Sequence, residues 1–337
     1  MQRNYEPLTS SVARIDFSNF RRQFKIKKAN SNLSYVVLFM FLLSISYFYK
    51  IILESLFSIG WQYALIGIII SVSVVAFVVI ILIKSANNRL IRFVRLSRFA
   101  EANGMTYYPL TLNPNYGGMI FSIGDGRNSH DQLISMSGKA FEIANYSYVI
   151  GSGKSRRIIE KGYIRVQLDR NLPHMVLDSV SNNTNLFGLS LSNLPVSFDK
   201  NQRLSLEGNF DKYFTLYAPA DYEQDALYVF TPDLMALFID SINGFDAEIV
   251  DNYLYIYSNH PFNLTNQAEL ERIFRIIDTV GVKTVIHTEH YVDEAVGSSA
   301  SNIVADPGRR LKTRIPWLVI MIFVIIVLLI VWLFATK

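Results

Sequence analysis

FEIANYSYVIGSGKSRRIIEKGYIRVQL, residues 141–168, holds two runs rich in β-branched and aromatic residues, Phe141–Ile150 and Ile158–Leu168, on either side of a Gly-rich turn at Gly151–Lys154. Such runs separated by a short Gly-containing turn predict an antiparallel hairpin. A third run, Met175–Val180, extends it into a meander. Asn182–Asn185 downstream and the Asn-, Gly- and Pro-containing Asn113–Asp131 upstream read as loops.

Beyond Leu204 the elements become mixed. Phe214–Tyr217 and Leu227–Phe230 read as short strands, and Thr231-Pro232-Asp233 as a helix start that runs to Asn243-Gly244. Glu248–Val250 and Tyr253–Tyr257 flank Asp251-Asn252, a two-residue hairpin signal. Asn266 with Glu269 three residues on forms a capping pair, Leu270, Ile273, Phe274 and Ile277 form an apolar helical face, and Gly281 ends that helix. Val282–Thr288 reads as a last strand. The fold class expected is α+β, a mixed domain with antiparallel sheet.

Leu206-Glu207-Gly208-Asn209-Phe210-Asp211-Lys212-Tyr213-Phe214 and Val229-Phe230-Thr231-Pro232-Asp233-Leu234-Met235 resemble a family of uncharacterised bacterial membrane-tethered proteins, in which an EG-(D/N)-F-x-K-x-F segment precedes an (L/F)-T-P-x-(F/L)-M helix start. Gly162-Tyr163-Ile164 and Leu172–Leu177 are of the same type, so the resemblance covers roughly residues 95–258. It implies an architecture and no activity.

Further outward lie three long apolar stretches, Leu33–Tyr49, Trp61–Ile83 and Ile315–Phe334. A membrane-crossing helix needs about 20 apolar residues. Each stretch borders a basic cluster: Arg21, Arg22, Lys25, Lys27 and Lys28; Lys84, Arg89, Arg92, Arg95 and Arg98; Arg309, Arg310, Lys312 and Arg314. Residues 1–32 hold 7 basic and 2 acidic side chains, whereas 99–308 hold 14 basic and 25 acidic, a net of −11. Basic flanks are retained on the cytoplasmic side. The sequence therefore predicts three transmembrane helices, two N-terminal and one C-terminal, in a multi-pass protein of the cell membrane with N-terminus and main domain cytoplasmic. In residue numbers this means a basic cytoplasmic segment 1–32, a transmembrane hairpin 33–83, a cytoplasmic domain 84–294, a flexible basic linker 295–314 and a transmembrane helix 315–335. Some 32 polar and basic residues before the first apolar run speak against a cleaved signal peptide. Two readings of Arg14–Lys28 stand side by side, a basic interfacial helix and a disordered basic tail.

Basic groups beside membrane helices rather than on the domain argue for the anionic headgroups of a lipid bilayer as partner, at about 1 kcal/mol per cation, and against nucleic acid. The chain has no cysteine, which excludes disulfides and thiolate metal sites. Gly151-Ser152-Gly153-Lys154-Ser155 ends like a phosphate-binding loop, but Tyr148 stands where that motif needs glycine and a strand follows where it needs a helix. A hairpin tip with exposed Lys154, Arg156 and Arg157 is the better reading. His287, His290, Asp293 and Glu294 cluster without the spacing of a zinc motif. Asp221, Glu223 and Asp225 read as a solvated acidic turn, and His260 stands alone.

These residues assign no catalytic, cofactor-binding or metal site and no cofactor. The function expected is presentation of an acidic domain for protein interaction or membrane-complex organisation. The alternative is an enzyme acting on a lipid or membrane-bound substrate, with Asp125, His130, Asp131 and His174 as the residues to converge.

Overall fold

Hydrogen bonding along residues 106–179 builds most of one sheet. A computed structural model of the chain describes residues 3–24, 50, 54, 60–138, 140–186, 189–206, 208–296 and 302–314. The chain divides into two compact units, one of Tyr5–Phe99 and one of Met1–Asn4 with Ala100–Lys337.

The first unit contains α1 (Arg14–Gln23) and most of α2 (Trp61–Ala102). Asp16 turns back to accept from the Ala13 N–H at 2.6 Å, which starts α1. Phe20 is buried and stacks on Phe93 at 5.8 Å, and Asp16 pairs with Arg98 at 2.7 Å. Arg95 donates to the Ser10 carbonyl at 3.2 Å. Of the two readings of Arg14–Lys28, the described part is therefore a helix whose aromatic face is covered by α2, and Lys25, Lys27 and Lys28 lie outside the described residues. Gly104, at φ +68°, ends α2, and the Met105 N–H caps the Ala100 carbonyl at 2.8 Å.

Among the described residues no helix is long and apolar enough to cross a membrane. This overturns the expectation of three transmembrane helices, and with it the multi-pass localisation. Leu33–Tyr49 and Ile315–Phe334 lie outside the described residues. The middle stretch is the first part of α2, a 42-residue helix that runs on through Lys84, Arg89, Arg92, Arg95 and Arg98. Apolar length read from sequence marks an element's composition and not its ends; here Ile66, Ile69 and Phe77 are exposed on α2.

In the second unit, β1 (Thr106–Leu112), β2 (Asp125–Ser135), β3 (Phe141–Ile150) and β4 (Arg157–Ser179) form an antiparallel meander; β3 and the first part of β4 are the expected hairpin, but Met175–Val180, expected as a third strand, continues β4 instead. The α+β class with antiparallel sheet therefore stands. The short β5 (Thr184–Leu186) and β6 (Leu189–Leu191) pair with each other, and β7 (Ser197–Phe198) pairs with β11 (Thr313–Arg314). Strands β8 (Arg203–Leu204), β9 (Phe214–Tyr217) and β10 (Asp246–Tyr257) complete a seven-stranded sheet in which β4 pairs with β3, β9 and β10.

Further expectations need correction. Asn182–Asn185 is not all loop, because β5 begins at Thr184. Asn113–Asp131 is not all loop, because β2 begins at Asp125. Leu227–Phe230 belongs to the end of helix α3 (Glu223–Val229), not to a strand. Asp251-Asn252 makes no hairpin: β10 is continuous, with Asp251 at φ +53° in an irregularity of the register. Helix α4 (Pro232–Ile242) starts as expected, and α5 (Gln267–Ile276) starts with Asn266 accepting from the Glu269 N–H at 3.2 Å. The chain does not stop at Gly281, however. A π-turn, Ile277–Gly281, leads into α6 (Val282–Thr288), where a strand was expected. A Cβ on Gly281 would come within 3.2 Å of Val166, so glycine is placed there for close helix–sheet approach rather than as a cap.

The sheet has two unlike faces. Helices cover one: Phe274 meets Phe141 edge-on at 6.0 Å, and Phe238 meets Phe214 at 6.4 Å. The other is aromatic and polar, with Tyr146, Tyr148, Tyr163, Tyr255 and Tyr257 beneath Met119–Phe121, Phe198 and Leu311. Irregularities in β4 and β10 let this face pass from Tyr163 and Arg165 to His174 and Val176, and from Glu248 and Val250 to Tyr255 and Tyr257.

Two buried glutamates organise that face. Glu142, opposite Arg165 in the register, pairs with it at 2.9 Å and accepts from Tyr163, Gln132 and Tyr116. Burial, with the Glu142 charge adding to it, pushes the Tyr116 hydroxyl up to about 12, so it stays a donor. Arg165 also lies over the Tyr116 ring at 4.1 Å. Glu248 accepts from the Tyr257 hydroxyl at 2.6 Å, the Met119 N–H at 2.7 Å and His174 Nε2 at 2.7 Å. The Leu311 N–H donates to His174 Nδ1 at 3.0 Å, which puts the ring proton on Nε2. Replacing Arg165 by Met leaves Glu142 buried without its cation. We expect a loss of about 3–5 kcal/mol in a urea unfolding titration, well above the cost of an exposed Arg156→Met.

Candidate acidic–aromatic groove

Two segments that sequence reasoning treated separately form one groove. Pro219 leads into a 3₁₀ turn, Ala220–Tyr222, which continues directly into α3. Glu223 and Asp225 stand in the first turn of α3, where the helix dipole favours acidic side chains. The chain leaving α6 supplies His290–Ala295 as the opposite wall, and Pro307 closes one side. The groove is open to solvent and holds about 970 Å³.

Five carboxylates line it, from Asp221, Glu223, Asp225, Asp293 and Glu294, together with Tyr222, Tyr228 and Tyr291. No lysine or arginine is among the described residues that line it. Two carboxylates hold the walls together. Tyr222, 3% exposed, donates to Asp293 at 2.9 Å, and Tyr291 donates to Asp225 at 2.6 Å. Asp293 also accepts the N–H groups of Ala295 at 2.9 Å and Ala305 at 2.8 Å. Burial, then the hydrogen bond to Asp293, raises the Tyr222 hydroxyl; burial, then the bond to Asp225, raises Tyr291. Asp221, Glu223 and Glu294 remain exposed at the rim. Tyr228 and Tyr291 lie 6.0 Å apart, ring to ring. The arrangement offers negative charge beside aromatic faces, a setting that attracts cations.

The signal in the sequence was an aromatic residue next to acids in both segments, since a buried tyrosine hydroxyl needs a partner. It was hidden because 227–230 read as strand and 282–288 as strand, which sets the two segments apart.

Of the residues proposed for an enzyme, His130 and Asp131 pair with each other, whereas Asp125 and His174 have other surroundings. Asp125 is exposed at the start of β2. Asp131, at φ +55° in a bulge, accepts from Tyr107 at 2.8 Å with His130 3.5 Å away. His174 is engaged by Glu248 and Leu311. His287 sits on α6 and His290 past its end at the groove; among the described residues no group of three or more His, Asp and Glu is placed to hold a metal. Gly153–Ser155 forms a turn at the tip of the β3–β4 hairpin, with Lys154, Arg156 and Arg157 exposed, as expected.

No protein-family model matches the chain, and no curated protein matches it. Among solved structures, the crystal structure of the mycobacterial trehalose monomycolate transport factor A, TtfA, is similar at 12% identity and a TM-score of 0.36, over 62% of this chain and 95% of that one. A likeness so distant supports neither a fold assignment nor a function.

Asp293→Ala removes the acceptor of one buried hydroxyl and two backbone N–H groups. We expect a loss of about 1–3 kcal/mol by urea denaturation, with the unfolding midpoint at lower urea than in the unaltered chain.

Proposed function

We propose that the chain is a protein-interaction module whose acidic–aromatic groove takes up a cationic segment of a partner protein. The observation that supports this reading is the set of five carboxylates and three tyrosines around about 970 Å³ with no lysine or arginine among the described lining. Tyr222 and Tyr291 fix the walls through Asp293 and Asp225, which leaves Asp221, Glu223 and Glu294 at the rim for an incoming lysine or arginine. Rim charges act mainly on encounter rate and salt dependence, and tyrosine faces add cation–π attraction once a cation is desolvated. The net −11 of residues 99–308 acts in the same direction at longer range.

A fluorescein-labelled Lys/Arg-rich peptide titrated against the full chain at low salt tests the proposal by anisotropy. Charge reversal at Asp221, Glu223 and Glu294 to Lys is expected to weaken binding by about tenfold or more, equivalent to about 1.4 kcal/mol. The same reversal at three exposed acids away from the groove, Asp125, Glu160 and Asp240, serves as control for net charge. Equal losses in both triple variants would show non-specific attraction and remove the groove from consideration.

A further inference from the structure

Register sets two carboxylates against each other inside the sheet. Ala247 of β10 pairs with Leu177 of β4, so Asp246 stands opposite Asp178 on the same face. They are 1% and 2% exposed. Like charges directly across a sheet repel, and burial makes a second charge there costly.

The two are provided for unequally. Asp246 Oδ1 accepts from the Ser179 N–H at 3.1 Å and from Asn182 Nδ2 at 3.0 Å, and its Oδ2 accepts from Asn193 Nδ2 at 3.1 Å. Lys161, whose Nζ donates to Asn259 at 2.8 Å, also favours the Asp246 charge. The side chains of Ser192 and Asn183 favour the charged form of Asp178, but its Oδ1 has no partner. The Oδ1 atoms of Asn182 and Asn193 have none either. All three unpartnered atoms are acceptors, so what this buried cluster lacks is a hydrogen. A proton on Asp178 supplies one and ends the confrontation of two charges.

We propose that Asp178 and Asp246 form a one-proton switch: Asp178 holds the proton and Asp246 the charge, and loss of the proton, by setting a second charge against Asp246, loosens the hold of Asp246 on Asn182 and Asn193. Those two asparagines lie on the two sides of the β5–β6 pair, and Asn183 accepts the Asn193 N–H at 3.1 Å, so the switch acts on the base of that excursion. Burial pushes the Asp178 carboxyl up to about 7; Ser192, Asn183 and Arg203 oppose the rise, and the Asp246 charge adds to it. The remaining groups that face the pair are Lys161 on β4, Tyr217 on β9 and Tyr257 on β10. The sign follows. A carboxyl raised above its ordinary 3.8 on folding contributes fully below that value, and the contribution is lost as pH rises to about 7.

Hydrogen exchange of the full chain, followed by mass spectrometry from about pH 5.5 to about pH 8.5 and corrected for intrinsic rates, tests the switch. Peptides spanning Asn182 to Asn193 are expected to exchange about tenfold faster above the transition, while those of β3 stay unchanged. Asp178→Asn, which keeps the shape without the titration, is expected to lose the step. A flat profile in the unaltered chain, or the same step in Asp178→Asn, overturns the proposal. So does protection of these peptides by added calcium or magnesium at the high-pH end, which would make the pair a cation site. Should Asp178→Asn fail to fold, infrared titration of the unaltered chain decides: the proposal requires a protonated-carboxyl band that fades near neutrality, and its absence refutes it.

Discussion

The contact between Glu142 and Arg165 is the constraint around which the domain is arranged. A buried ion pair is tolerable only when nearly every remaining lone pair and N–H finds a partner. Glu142 meets that demand by drawing in Tyr163 from β4, Gln132 from β2 and Tyr116 from the loop after β1. Arg165 meets it by lying against the rings of Tyr116 and Tyr253. Glu248 repeats the device further along the sheet, holding Met119 of the same loop and, through His174, the backbone at Leu311. Two carboxylates thus fasten segments distant in sequence onto one face.

The opposite face is ordinary by comparison. Its apolar side chains meet the helices, and burial of each large side chain contributes about 1.5–3 kcal/mol. The groove belongs to neither face. It forms where the 3₁₀ turn before α3 meets the chain leaving α6, and tyrosine–aspartate bonds rather than a packed core set its width. Packing supplies the bulk of stability, while directional bonds set where loops lie.

How much of this could be read from the residues alone depended on whether a signal was local. The hairpin at 141–168 was legible because its β-rich runs flank a glycine turn, and Asn266 with Glu269 marked a helix start because the cap is a four-residue device. Val282–Thr288 failed because β-branched residues favour strand, whereas here the preceding helix carries on through a π-turn. Asp251-Asn252 failed because a bulge and a hairpin ask for the same positive φ. Of the groove, only the acids were visible; that Asp225 and Asp293 serve Tyr291 and Tyr222 is a tertiary fact. The pairing of Asp178 with Asp246 was likewise beyond reach, since it rests on register across nearly seventy residues of chain.

The irregularities in β4 and β10 have a consequence for how the chain can change. From Gln167 to Leu172 the strand β4 advances five residues while its partner moves only from Tyr253 to Asp251. That surplus exchanges odd for even positions, so Arg165 and His174 serve one surface although strict alternation would part them. Chain length between these points is therefore a phase, not a spacer. A single deletion there would leave composition almost untouched yet send His174 and Asp178 toward the helices and Met175 and Leu177 toward the glutamates. Among related chains, this segment is where length is expected to be held while identity drifts.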